Sequence, residues 1–152
     1  MIGGAPSQDL SYYQSFVQDI PVEIWMNRTY ELLTKATAAA VTSGTATLEA
    51  GLFGVPQVVC YKSTRLSYEI GKRLVKVRFI SLVNLIMDRE VVTELIQVTF
   101  TPKRLLAEMK AILSGSRRQQ MESDYQELHQ KLGDAGASAN AAKSILSQFE
   151  SS

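Results

Sequence analysis

The chain has 152 residues, 45% of them hydrophobic and 20% charged, with a formal net charge of +1. That length is one domain's worth and the apolar share supports a real core, so a disordered chain is excluded. Sixteen basic against fifteen acidic residues also exclude a dedicated nucleic-acid binder, which needs a surplus of cations for phosphate.

Ile2-Gly3-Gly4-Ala5 reads as a short opening strand. Tyr12, Tyr13, Phe16 and Val17 then recur at helical spacing before Pro21. Val22–Met26 reads as a strand and Tyr30 to Lys35 as a short helix. Ala38–Thr42 is a strand bounded by Ser43-Gly44, and a helix from about Thr45 to Phe53 stops near Gly54 and Pro56. Gln57–Tyr61 is the clearest strand, because it is β-rich and follows Pro56. Leu66, Ile70 and Leu74 form a helical stripe, and Phe79–Val83 reads as a further strand.

Helical signals then take over. Thr101 is an N-cap with Pro102 at the first helical position, and Leu105, Leu106, Met109, Ile112 and Leu113 make the apolar face up to Gly115. Met121, Tyr125, Leu128 and Leu132 continue in another helix, which Gly133-Asp134-Ala135-Gly136 breaks. Ala141, Ile145, Leu146 and Phe149 suggest a last one. Strands alternating with helices predict βαβ units. The expected fold is α/β, a doubly wound, mostly parallel sheet over residues 1–115 with an α-helical tail over 116–152.

Little metal or redox chemistry is expected. Cys60 is the single cysteine and His129 the single histidine, so neither a disulfide nor a usual ligand set is available, and no cofactor or metal is predicted. One cysteine suits a reducing compartment. No apolar run approaches a membrane span, and the N-terminus carries neither the basic nor the apolar part of a signal peptide. These features predict a cytoplasmic location.

In parallel α/β sheets, ligands bind beyond the carboxyl ends of the strands. That rule selects Ser43-Gly44-Thr45 after one strand and Lys62-Ser63-Thr64 after another. Glycine admits close approach to the backbone, and a helix N-terminus offers unpaired N–H donors and partial positive charge. Ser43 and Thr45 add hydroxyls, which together suit a phosphate or diphosphate; the bland reading is an ordinary N-cap turn. Glu49, six residues after Ser43, is out of register for a capping box but shares a helix face with Thr45. There it can accept hydrogen bonds from the vicinal hydroxyls of a ribose, or simply face solvent and suit the helix dipole. Asn84 is a polar residue inside an apolar run, either buried against a structural partner or at a site. Arg89 and Glu90 follow at a helix start. Six basic residues against one acidic between Lys62 and Arg78 fit either a solvated face or contact with anionic headgroups. Neither the dinucleotide fingerprint nor the P-loop motif is present.

Five stretches taken together resemble the lipid-A-disaccharide synthase family, glycosyltransferases of the two-domain GT-B fold. They are Ser43–Glu49, Gly54–Val59, Lys72–Lys76, Ile80–Leu85 and Arg89–Gln97, in the family's order. The resemblance implies the Rossmann-like C-terminal half, which binds the UDP part of UDP-2,3-diacylglucosamine for inverting transfer to 2,3-diacylglucosamine 1-phosphate in lipid A biosynthesis. Carried over, Ser43, Gly44 and Thr45 contact the diphosphate, Glu49 the ribose, and Asn84 faces the nucleotide-sugar cleft, with Arg89 a weaker candidate. The family's N-terminal domain, with its general base and lipid-acceptor site, and the Gly-Ser-Arg motif with its βα unit are not matched. The chain is therefore expected to be an inactive fragment with no catalytic residue of its own. The expected location is the cytoplasmic face of the inner membrane in a Gram-negative bacterium, with peripheral contact to anionic lipid. Unpaired strand edges and the helical tail predict a homo-oligomer. The alternatives are the nucleotide-binding half of another UDP-sugar enzyme, such as a peptidoglycan GT-B transferase or a UDP-N-acetylglucosamine epimerase, and a non-catalytic binding module.

Overall fold

The computed structural model describes residues 1–18, 20–42, 44–63, 78–133, 136, 141–142 and 145–147. The Leu66–Ile70–Leu74 stripe lies outside the described residues, as does Phe149. The elements run β1 (Ile2–Gly4), α1 (Leu10–Val17), β2 (Ile24–Met26), α2 (Thr29–Lys35), β3 (Ala39–Thr42), α3 (Thr45–Leu52) and β4 (Gln57–Tyr61). They continue with α4 (Leu82–Met87), β5 (Thr93–Ile96), a 3-10 turn (Gln97–Thr99), α5 (Pro102–Leu113) and α6 (Ser116–Leu132). The fold is α/β with parallel strands alternating with helices and helices at the C-terminal end.

The strands form two sheets, β1-β2 and β3-β4-β5. Every pairing is parallel: Ile2 opposes Ile24, Ala39 opposes Gln57, and Val58 opposes Thr93. β4 is central in its sheet and is covered on both faces, which is why Gln57-Val58-Val59-Cys60 is buried without alternation. Val58 and Val59 join Val83, Met87, Val91, Val92, Leu95 and Ile112 in the main core. Met121, Tyr125 and Leu128 of α6 complete it, so this helix is an integral part of the core layer.

α6 seats closely on α3 at Gly51, where a Cβ would stand 3.3 Å from both Leu128 and Val83 side-chain atoms. Buried Gln57 ties the layers together, its Nε2 donating to the Thr47 carbonyl (2.8 Å) and the Tyr125 hydroxyl (3.1 Å). Tyr125 in turn donates to the Val55 carbonyl at 3.3 Å. Burial pushes the Tyr125 phenol above its ordinary range, so it remains a donor throughout physiological pH.

Capping chemistry sets the helix boundaries. Thr101 caps α5 by accepting from the Arg104 N–H at 3.3 Å, with Pro102 in the first turn as expected. Gly115 takes φ +82° between α5 and α6, so it ends one helix and starts the next.

Two elements differ from expectation. Phe79–Val83 is not a strand. Ser81 caps α4, accepting from the Asn84 N–H at 3.3 Å, and the apolar run that follows is helical; only an isolated bridge to Gly44 keeps strand character there. The third strand of that sheet is instead Thr93–Ile96, whose Glu94 obscures its strand pattern.

Half-buried Glu94 and buried Asn84 form a polar cluster beside the core. Asn84 is fully buried. Its Oδ1 accepts from the Val91 and Val92 N–H groups at 2.8 and 2.9 Å. Its Nδ2 donates to the Val92 carbonyl (2.8 Å) and to Glu94 (2.9 Å). The Glu94 carboxylate also accepts from the Ile80 N–H at 3.0 Å, the Ser81 N–H at 2.9 Å and the Ser81 hydroxyl at 2.7 Å. Replacing Asn84 with leucine orphans two buried N–H groups, each costing about 1–3 kcal/mol. Asn84→Leu is therefore expected to destabilise the fold by roughly 2–6 kcal/mol, read as a lower urea midpoint at unchanged slope. An unchanged midpoint would contradict this.

Candidate functional site

The turn between β3 and α3 is built around one backbone conformation. Gly44 has φ +105° and ψ −155°, a region essentially closed to side chains. From there α3 begins at Thr45 with no side chain capping its N-terminus. The first N–H groups of such a helix point outward as donors, backed by the helix dipole. Ser43 lies outside the described residues.

The turn is fixed from below. The Gly44 carbonyl accepts from the Thr47 hydroxyl at 2.8 Å and the Thr47 N–H at 3.2 Å. The same Thr47 hydroxyl accepts from the Leu82 N–H at 3.2 Å, and Gly44 bridges to Ser81. Through Ser81 the turn is linked to the Glu94–Asn84 cluster. Asn84 thus supports the turn from the interior, with all of its amide atoms engaged by protein.

A cavity of about 680 Å³ opens beside Thr45, the residue that follows this turn. Its walls are Pro6, just past β1; residues 27–31, just past β2; and Thr45 and Glu49 on α3, just past β3. It therefore stands beyond the carboxyl ends of β1 and β2, which pair in parallel, and of β3 of the second sheet, the kind of place where the α/β rule expects a ligand. Thr45 and Glu49 share one face of α3, as their spacing predicts. Neither Asn84 nor Arg89 lines this cavity.

Charges on the wall are distributed unevenly. Glu31 is held by Arg28 (2.7 Å) and Lys35 (3.2 Å), and these cations keep its carboxyl below the ordinary range. Arg28 and Lys35 also stand over the Trp25 ring, at 4.3 and 4.7 Å from its centroid. Glu49 is different: among the described residues its carboxylate is met by the Tyr30 hydroxyl at 3.3 Å and by no cation. It is half-buried and turned toward the cavity wall. The wall can thus offer backbone N–H donors to an anion at one end and a carboxylate acceptor to hydroxyls one helical turn away.

Arg89 serves another contact. Its guanidinium binds Asp124 (2.9 Å) and Glu127 (2.6 Å) on α6, which hold it above its usual range. Cys60 lies in the core, where burial raises its thiol, and His129 Nε2 lies 3.1 Å from the Leu52 carbonyl at the end of α3. Among the described residues no group of three His, Cys, Asp or Glu side chains could hold a metal ion, and no helix is long and apolar enough to cross a membrane. Sequence reasoning missed Arg28, Tyr30 and the Asn27 turn, because only the folded sheet brings the residues after β2 beside α3.

Comparison with known proteins gives a consistent match. The family model described as lipid-A-disaccharide synthetase matches residues 8–149. A lipid-A-disaccharide synthase of Syntrophus aciditrophicus is 42% identical over 132 residues, covering 86% of this chain and 34% of that protein. That of Psychromonas ingrahamii is 40% identical over 147 residues, covering 96% of this chain and 38% of that protein. That of Myxococcus xanthus is 41% identical over 120 residues, covering 78% and 31%. The chain thus spans about a third of the length of the curated relatives it matches.

The turn makes a test independent of any ligand. A side chain at Gly44 would meet nothing within 4 Å, so the cost of Gly44→Ala is conformational, not steric. The substitution is expected to lower stability by about 1–3 kcal/mol, seen as a lower melting temperature. A gain in stability from the reduced freedom of the unfolded chain would contradict the assigned backbone conformation.

Proposed function

This chain belongs to the lipid-A-disaccharide synthase family, and on that premise we propose that it is the donor-nucleotide-binding part of such a glycosyltransferase. It binds the UDP portion of UDP-2,3-diacylglucosamine. The observation that carries this reading is the cavity at the carboxyl ends of β1, β2 and β3, with Thr45 and Glu49 on one wall. The diphosphate lies against the uncapped N-terminus of α3, where Gly44 lets it approach the backbone and Ser43 and Thr45 add hydroxyls. Glu49 accepts hydrogen bonds from the ribose hydroxyls. Asn84 acts from beneath by holding the Ser81–Gly44 bridge, and Arg89 acts by tethering α4 and its following turn to α6.

In this reading the parent enzyme inverts the donor sugar onto 2,3-diacylglucosamine 1-phosphate at the cytoplasmic face of the inner membrane of a Gram-negative bacterium. Anionic lipid is met through basic side chains such as Lys62 and Arg78. Positioning of an acceptor and general-base catalysis need groups beyond the donor site. This chain spans about a third of its relatives' length, so by itself it binds donor without transferring sugar. It also self-associates. Each sheet ends in edge strands that no other described strand pairs, and such edges recruit further strands.

Calorimetry with UDP tests the binding claim. Glu49→Ala is expected to lose on the order of 1–3 kcal/mol, the range for hydrogen bonds to a charged group. Equal affinity in the parent chain and the variant would discard the ribose assignment. With purified donor and acceptor, the chain alone should give no disaccharide; turnover would overturn the division of labour. Light scattering at micromolar concentration should report a mass above the 16.8 kDa of one chain, and a clean monomer would refute association.

A further inference from the structure

Tyr30 has a geometry that core packing does not explain. It begins α2 beside Thr29, and its side chain is 59% exposed. Its ring stacks on Phe53, itself 43% exposed, with centroids 5.6 Å apart and planes 12° from parallel. Burial alone rewards neither ring strongly, because both keep much of their surface in water. The stack does fix where the phenol ends. Phe53 lies four residues beyond Glu49, on the same side of α3, so a ring seated on Phe53 points its hydroxyl one turn back along the helix. That hydroxyl donates to Glu49 Oε1 at 3.3 Å.

The backbone supports this placement. Asn27 sits at φ +57°, a left-handed conformation that asparagine tolerates better than most residues. The turn brings Tyr30 onto the same cavity as Glu49, although nineteen residues separate them in sequence. A carboxylate oxygen has two lone pairs, so one phenol leaves Oε2 and half of Oε1 open toward the cavity. A glutamate side chain free to rotate loses freedom when it grips a ligand, whereas one already held loses less.

We infer that Tyr30 is a positioning residue, which orients Glu49 to accept the vicinal hydroxyls of a ribose and so sets the preference of this site for a ribonucleotide. The inference rests on the proposed donor-nucleotide reading and adds to it the residue that tunes it. It predicts a signature that a structural role would not produce. Removing only the phenol oxygen should change discrimination between sugars while leaving the fold intact.

The experiment compares UDP with 2′,3′-dideoxy-UDP by calorimetry on the parent chain, Tyr30→Phe and Glu49→Ala, with thermal unfolding as a check on each variant. Tyr30→Phe keeps the ring on Phe53 and should unfold at the parent's temperature. The parent should prefer UDP, and Glu49→Ala should abolish that preference. Tyr30→Phe should weaken UDP binding about three- to tenfold, the range of one modest hydrogen bond, with dideoxy-UDP binding unchanged. If the parent and Tyr30→Phe show the same ratio while Glu49→Ala loses it, Tyr30 has no positioning role and the ribose reading stands. Tighter UDP binding by Tyr30→Phe would also overturn the inference, because the phenol would then be competing with the ligand. A parent chain that binds both nucleotides equally, or neither, overturns the donor-nucleotide reading and this inference with it.

Discussion

The half-buried carboxylate of Glu94 and the buried amide of Asn84 are the constraint on which the rest of this structure depends. A carboxylate beside a core is costly unless its lone pairs are satisfied. Here the N–H groups of Ile80 and Ser81, the Ser81 hydroxyl and the Asn84 amide satisfy it. Asn84 simultaneously takes the N–H groups of Val91 and Val92, closing the turn between α4 and β5. The strand, the helix and the loop between them are therefore fixed by one hydrogen-bonded unit. A half-satisfied version would be worse than an apolar core.

The same unit reaches the candidate site without any member touching the cavity. Ser81 is both a ligand of Glu94 and the bridge partner of Gly44. Leu82, the next residue, donates to Thr47, which in turn holds the Gly44 carbonyl. Two chains of contacts thus converge on the turn that starts α3. An uncapped helix N-terminus is an anion site only if its N–H groups stay aimed in one direction, and buried anchors on two sides supply that rigidity. Catalytic and binding geometry at turns commonly depends on such supports.

Local signals in the sequence were sufficient wherever one element decides the outcome. Gln57–Tyr61 reads as a buried strand because it is β-rich and follows proline, and Thr101-Pro102 reads as a helix start because of its capping chemistry. The strand–turn–helix passage through Gly44 was equally legible, as was the shared face of Thr45 and Glu49. Asn84 was recognisable as a polar residue that needs buried partners, but its partners lie seven to ten residues away and no spacing rule identifies them. Phe79–Val83 misleads because its composition suits a strand, while the Ser81 cap and the Glu94 carboxylate favour a helix start. Thr93–Ile96 misleads in the opposite sense, since its central glutamate looks solvent-facing until Asn84 and Ser81 surround it. Tyr30 and Arg28 could not be read at all, because their place beside α3 exists only after β2 and β3 have been laid in the fold.

The central claim is spatial: a uridine diphosphate lies between the N-terminus of α3 and Glu49. Backbone amide chemical shifts, followed by NMR as UDP is added to the isotopically labelled chain, test it most directly. The account predicts that the largest changes fall on Gly44, Thr45, Ala46 and Glu49, with smaller ones at 27–31 across the cavity, and that Val91, Val92 and the α6 face that binds Arg89 stay in place. Changes centred on the α6 side, or no change at Gly44 through Ala46 at saturating UDP, would contradict it.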